Sequence, residues 1–166
     1  MAAIIEWFTT TFIGKILVTL GVSMVPVIEL RGAIPIGMGL GLDYFTSFVA
    51  SVIGNMIPIP FILIFLMKIF DWMKRRDNWM GKVVDKMLSI ADKKRETVDK
   101  YGWIGLFILV AIPLPGTGAW TGALVASLFN FPKLRSFFAI FLGVLICGVI
   151  MCLASYGVFG FLSFLA

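Results

Sequence analysis

The sequence predicts an all-α integral membrane protein built as an inverted repeat: each half a re-entrant helical hairpin followed by one transmembrane helix, with an amphipathic cytoplasmic helix between the halves. Three observations predict it. The 166 residues are 60% hydrophobic and 14% charged, against about 45–50% apolar content for soluble domains. Two membrane-length apolar stretches carry helix breakers at their midpoints, 16–42 around Pro26, Glu29-Leu30-Arg31-Gly32 and Pro35, and 101–132 around Pro113-Leu114-Pro115-Gly116-Thr117-Gly118. Ten of the fourteen Lys and Arg residues lie in 68–100, and Lys133 and Arg135 follow the second stretch, so positive charge is grouped as the positive-inside rule requires.

Taken in order, residues 2–14 read as an interfacial helix, with Glu6 and Trp7 at headgroup level. A first repeat over 1–72 holds a hairpin at about 16–42, whose arms are each too short to span, and a span at about 44–67. That span contains Asn55, and Pro58 and Pro60 predict a kink in it. The connector, 73–100, carries Trp79, Met80, Val83, Val84, Met87, Leu88 and Ala91 at helical spacing between charges, the pattern of an amphipathic surface helix. Its basic face is either structural or a contact for anionic lipid.

The second repeat, 101–166, holds a hairpin at about 101–132 and a span at about 136–158. Lys100 lies at one end of that hairpin and Lys133 and Arg135 at the other. A single crossing would put one basic cluster outside, whereas entry and return on the cytoplasmic side keeps both inside. Thirty-two residues would make a helix of about 48 Å, against a hydrocarbon core of about 30 Å. The first half reads as the mirror image, entering from outside and crossing inward. Residues 68–100 and 133–135 are then cytoplasmic. Gly32-Ala33 and Gly118-Ala119 occupy matching places, and Gly37-x3-Gly41 and Gly118-x3-Gly122 both lie on returning arms, where glycines permit close helix contact or serve packing alone.

Several classes are disfavoured. No alternating ten-residue strands suggest a membrane β-barrel, and the N-terminus lacks the basic region and cleavage site of a secretory signal. The net charge of +5 is accounted for by cytoplasmic loops, so no nucleic-acid partner is expected. Cys147 and Cys152 read as packing residues, and a chain without histidine offers no His-based metal site. No cofactor, no metal and no enzymatic activity are expected, since neither a nucleotide motif nor a nucleophile–base pair is visible.

Glu29 and Arg31 are the only charges inside the two hairpins, and charge at that depth is costly enough to be functional by default. They are either a structural pair or a working one. In the working version Arg31 meets an anionic headgroup, and Glu29 binds a proton or Na⁺. The second tip offers the Thr117 and Thr121 hydroxyls, Trp120 and backbone freed by Pro113 and Pro115. The arms starting at Gly32 and near Thr117 would present N-terminal N–H groups to an anion. Asn55 supplies an amide at similar depth, or a hydrogen bond between helices.

Glu29-Leu-Arg-Gly-Ala-Ile-Pro-Ile-Gly37 and Pro113-Leu-Pro-Gly-Thr-Gly-Ala-Trp-Thr-Gly122 resemble the signatures of the small multidrug export membrane proteins of bacteria and archaea. The architecture is similar, more remotely, to the DedA/VTT proteins, with two re-entrant hairpins carrying buried acidic and basic residues. That resemblance implies transport of polyprenyl-phosphate or phospholipid. Where it implies an arginine near the second turn, this chain has Thr117 and Trp120. The expectation is a multi-pass protein of a prokaryotic cytoplasmic membrane, a transporter or lipid flippase for an amphipathic anionic substrate. It is expected to be coupled to H⁺ or Na⁺ and to act as a homodimer. The alternatives are a multidrug or metabolite exporter on the same scaffold and a non-transporting scaffold or insertion factor.

Overall fold

The structure, a computed structural model, describes residues 2–74, 85, 95–114 and 116–165. The expected connector helix, with Trp79 to Ala91, lies almost wholly outside these residues, and so does Pro115. All regular structure among them is helical: α1 (Ala2–Thr10), α2 (Phe12–Ser23), α3 (Glu29–Gly39), α4 (Tyr44–Met56), α5 (Pro58–Lys74), α6 (Arg95–Ala111), α7 (Ala119–Leu128) and α8 (Lys133–Leu165).

Local chemistry sets the boundaries. Thr11 caps α2, its hydroxyl accepting from the Gly14 N–H at 3.1 Å. Asp43 caps α4 through the Thr46 N–H at 3.0 Å. Gly102 interrupts α6 with φ 48°, and Pro58 opens α5, leaving a bend at Ile57 in the run 44–73. Two runs, Tyr44–Met73 and Lys133–Gly157, are long and apolar enough to cross a membrane. At 12, 11 and 10 residues, α2, α3 and α7 reach only about 15–18 Å and cannot. Phe45, Phe61, Leu134 and Leu153 are among many large apolar side chains on the surface, as a lipid-facing exterior requires.

Boundaries differ from the sequence reading in places. The first hairpin begins at Phe12 and takes in Lys15, the candidate spans are Tyr44–Met73 and Lys133–Gly157, and helix α8 continues to Leu165. Gly32 and Pro35 are not turn residues. The turn is 24–28, which includes Pro26, and both Gly32 and Pro35 lie inside α3. Proline at 35 removes the N–H that would bond the Arg31 carbonyl, which a helix packed on protein tolerates.

The two halves share one register. α3 ends at Gly39, and α7 ends 89 residues later at Leu128; α4 starts at Tyr44, and α8 starts 89 residues later at Lys133. The same offset relates four of the six residues with positive φ among the described residues, Glu29 to Gly118 and Gly41 to Asn130; Gly102 and Gly116 have no such counterpart. It also relates the caps that follow, in which the Leu42 N–H donates to the Gly37 carbonyl at 3.0 Å and the Phe131 N–H to that of Ala126 at 2.9 Å. Ser47-Phe48-x-Ala50-x3-Gly54 recurs as Ser136-Phe137-x-Ala139-x3-Gly143. The glycine pairs matched by eye above are therefore out of step: Gly118 is the counterpart of Glu29, and Gly32 that of Thr121.

Packing follows the register. α2 lies on α4 as α6 lies on α8. α3 packs on its own span α4 and on α8, while α7 packs on its own span α8 and on α5. A Cβ on Gly54 would press on the Leu20 backbone, and one on Gly143 would come within 2.7 Å of Val110 Cβ and 3.0 Å of the Phe107 carbonyl oxygen. Between helices in lipid the hydrophobic drive is largely absent, so close backbone approach and internal polar contacts hold the bundle. The core joining the halves contains Leu30, Ile34, Ile59, Leu106, Ile140 and Val144.

Candidate functional site

The site forms where the tip of the first hairpin meets that of the second. Each charged side chain of α3 engages a different helix end. The Trp120 N–H, in the first turn of α7, donates to Glu29 Oε1 at 3.2 Å, and the Ala119 N–H is close by. Glu29 is 3% exposed. Arg31 works at the opposite pole, where α6 ends. One guanidinium nitrogen donates to the Leu114 carbonyl, the other to the Ile112 carbonyl at 3.2 Å and to Thr117 Oγ1 at 2.8 Å. The Ile112 carbonyl also accepts from the Leu114 N–H at 2.9 Å and the Leu114 carbonyl from the Thr117 N–H at 3.2 Å, with Thr117 Oγ1 in reach of both, so Arg31 adds a charged donor to a turn already bonded locally. A carboxylate at a helix N-terminus and a guanidinium at a helix C-terminus both match the macrodipole.

The backbone accommodates this arrangement at a cost. Glu29 has φ 50°, a left-handed conformation uncommon for a residue with a side chain, and strain of this kind gathers at working sites. Gly118 has φ 136°, and a Cβ there would overlap the Glu29 carboxylate. Glycine at 118 therefore serves both conformation and space.

A cavity of about 450 Å³ opens beside the pair, lined by Pro26, Val27, Glu29, Arg31, Pro113, Leu114, Gly116, Thr117, Thr121 and Met151. That volume suits a ligand of moderate size. Thr121 Oγ1 donates to the Gly116 carbonyl at 3.2 Å. Three buried polar atoms at the tips have no partner among the described residues: Glu29 Oε2, Arg31 Nε and Trp120 Nε1.

Of the sequence candidates, Glu29, Arg31, Thr117, Trp120 and Thr121 come together here. Asn55 does not line this cavity; it is buried on α4. The α3 arm starts at Glu29 rather than Gly32, and the N-terminus of α7, expected to be open to a substrate anion, holds the protein's own Glu29 carboxylate. Sequence reasoning missed the Ile112 and Leu114 carbonyls, which carry no side-chain signal, and Met151. It also treated Cys147 as packing alone, whereas the buried Cys147 faces Arg31 and Glu29 from α8.

The profile of the family described as "Putative small multi-drug export protein" matches residues 29–150, a stretch that begins at the Glu29 tip and contains both. No curated protein and no solved structure matches the chain.

Proposed function

We propose, from the premise that the chain belongs to the small multi-drug export protein family, that it is a secondary transporter moving an amphipathic substrate past two opposed re-entrant hairpin tips. The observation that carries this is the clasp itself: Glu29 and Arg31, from one half, cap opposite helix ends of the other half beside a cavity. The shared register and reciprocal packing support an inverted repeat, the architecture in which such mid-membrane tips bind substrate and rock between two faces. A lipid headgroup can pass along polar tips while its tail stays in the bilayer.

An anionic headgroup is favoured because the α7 N-terminus already accommodates a carboxylate, that of Glu29, and because Arg31 Nε is an unused donor. On this reading Glu29 takes up a proton, leaves the α7 N-terminus and yields its place to the substrate anion. The polyprenyl-phosphate or phospholipid form of the proposal rests on the likeness to DedA/VTT proteins. One observation favours a second reading: the unpaired Glu29 Oε2 could accept from a cationic drug, in keeping with the family description. One chain buries the Glu29 carboxylate without help, so a homodimer stays in the proposal without being needed for that. The cytoplasmic-membrane location, with 68–100 and 133–135 inside, belongs to the proposal too.

The test is flux in proteoliposomes of a short-chain fluorescent polyprenyl phosphate and, separately, of a lipophilic ammonium dye, with and without a pH gradient. The anionic lipid should move in wild type, and Arg31→Ala should abolish its flux. Movement of the cation alone would establish the second reading. Wild-type flux in both Arg31→Ala and Glu29→Gln would sink the site assignment, and no flux of either species by folded protein would point to a scaffold.

A further inference from the structure

The first half contains a buried polar seam that the clasp does not use. Ser47, Ser51 and Asn55 stand at i, i+4 and i+8 on α4, and Thr19 and Ser23 stand one turn apart on α2; all five are 0% exposed. Ser23 Oγ donates to the Ser51 carbonyl at 2.5 Å, and Thr19 Oγ1 to that of Lys15 at 2.8 Å. A Cβ on Gly37 would lie 2.9 Å from both Ser47 Oγ and Thr19 Oγ1, so these hydroxyls flank α3. Ser47 Oγ, Ser51 Oγ and both amide atoms of Asn55 have no partner among the described residues. Proline at 58 also removes the N–H that the Gly54 carbonyl, beside Asn55, would accept. Because α4 runs back along α3 after the turn at 40–43, the step from Ser47 to Asn55 leads from the Gly37 end of α3 toward its Glu29 end.

The second half is an internal control. At the 89-residue offset, Thr19, Ser23, Ser51 and Asn55 become Ile108, Ile112, Ile140 and Val144, and only Ser47 keeps a serine, Ser136. Ile140 and Val144 are wholly buried in the core. At these two α4 positions the same unit packs with apolar residues, so packing there does not call for the polar ones; the α2 counterparts Ile108 and Ile112 are exposed and make no such comparison, and Ser136 is buried with its hydroxyl unpartnered among the described residues, like Ser47. Unsatisfied polar groups are costly in protein and costlier at membrane depth.

We propose that this seam is a hydrated proton path joining Glu29 to the membrane face on which Asp43 lies. Water suits it better than a metal ion, since Asn55 leaves a donor as well as an acceptor unmet, and water serves both. The proposal rests on the transport reading only for the purpose of the path. The titratable and charged groups around its inner end are Arg31 on α3 and Cys147 on α8. Those at its mouth are Asp43 and Lys15, whose ammonium lies near Gly41.

Cysteine reactivity tests the seam independently of any substrate. In full-length Cys147→Ala/Cys152→Ala protein in liposomes, Ser51→Cys and Ile140→Cys occupy equivalent places. A small hydrophilic thiosulfonate added from the Asp43 side should label Ser51→Cys at least about tenfold faster, because only a hydrated thiol ionises and reacts. An inert Ser51→Cys, or equal rates at both positions, would overturn the hydrated path. If Ser51→Cys fails to fold, Asn55→Cys against Val144→Cys serves instead. Asn55→Val, which copies the second half, should fold and lose proton-driven flux; retained flux at the wild-type rate would overturn the proton role. A hydrated seam in a protein that transports nothing would sink the transport reading and leave the water path standing.

Discussion

Glu29 is held at three points: its backbone is in the left-handed region, one carboxylate oxygen accepts from α7, and its carboxylate fills the space that Gly118 leaves. Gly118→Ala should therefore act like a lesion at Glu29 itself. It should expel the carboxylate from the α7 N-terminus and reduce flux as strongly as Glu29→Gln does, which the proteoliposome assay measures. Arg31→Ala removes the charged donor from the Ile112 and Leu114 carbonyls, which keep only the Leu114 and Thr117 N–H groups and the Thr117 hydroxyl. Losing hydrogen bonds from a half-buried charged donor costs on the order of 1 kcal/mol, readable as a lower thermal midpoint in detergent; Arg31→Lys should recover only part of it, since one ammonium cannot copy the fork. Both residues were legible in the sequence because charge amid apolar runs stands out. Their partners were not, because backbone carbonyls and N–H groups at helix ends have no letter of their own.

Among the elements, α4 shows how a cap couples folding to pH. The Thr46 hydroxyl and N–H hold the Asp43 carboxyl below its ordinary value of 3.8. The ionised form is thus favoured in the folded state, and its contribution is fully present above that value and lost as pH falls through the lower folded one. Asp43→Asn should flatten the acid limb of the unfolding curve while leaving the neutral-pH midpoint nearly unchanged, because an asparagine still caps. Helix contact makes a second claim. Gly54→Ala and Gly143→Ala force a methyl group against a neighbouring helix, and overpacking of this kind costs roughly 1–3 kcal/mol, so each should lower the thermal midpoint comparably. The sequence reading set the first turn too late. Gly32 and Pro35 look like a break, yet α3 absorbs both, and the residue that makes the turn into α3 left-handed is a glutamate, which no turn rule would choose.

At the scale of the whole molecule, the all-helical membrane class was legible from hydropathy, and the two candidate spans from their uncharged length. The register was not. The helices of the two halves agree in place but share little beyond the Ser-Phe-x-Ala-x3-Gly pattern, and the glycines most similar to the eye are not counterparts. The inverted reading makes a sided expectation: single cysteines at Asp43 and Lys133, one residue before the start of α4 and at the start of α8, should label from opposite faces of the membrane. Labelling of both from one face would rule out inversion. On that reading the shared architecture cannot tell one side of the membrane from the other. The difference is carried by side chains: glutamate where the copy has Gly118, arginine where it has Trp120, serine and asparagine where it has Ile140 and Val144. Vectorial transport in this protein is then a matter of composition rather than shape, and exchanging those four pairs between the halves describes a molecule of the same outline with its arrow reversed.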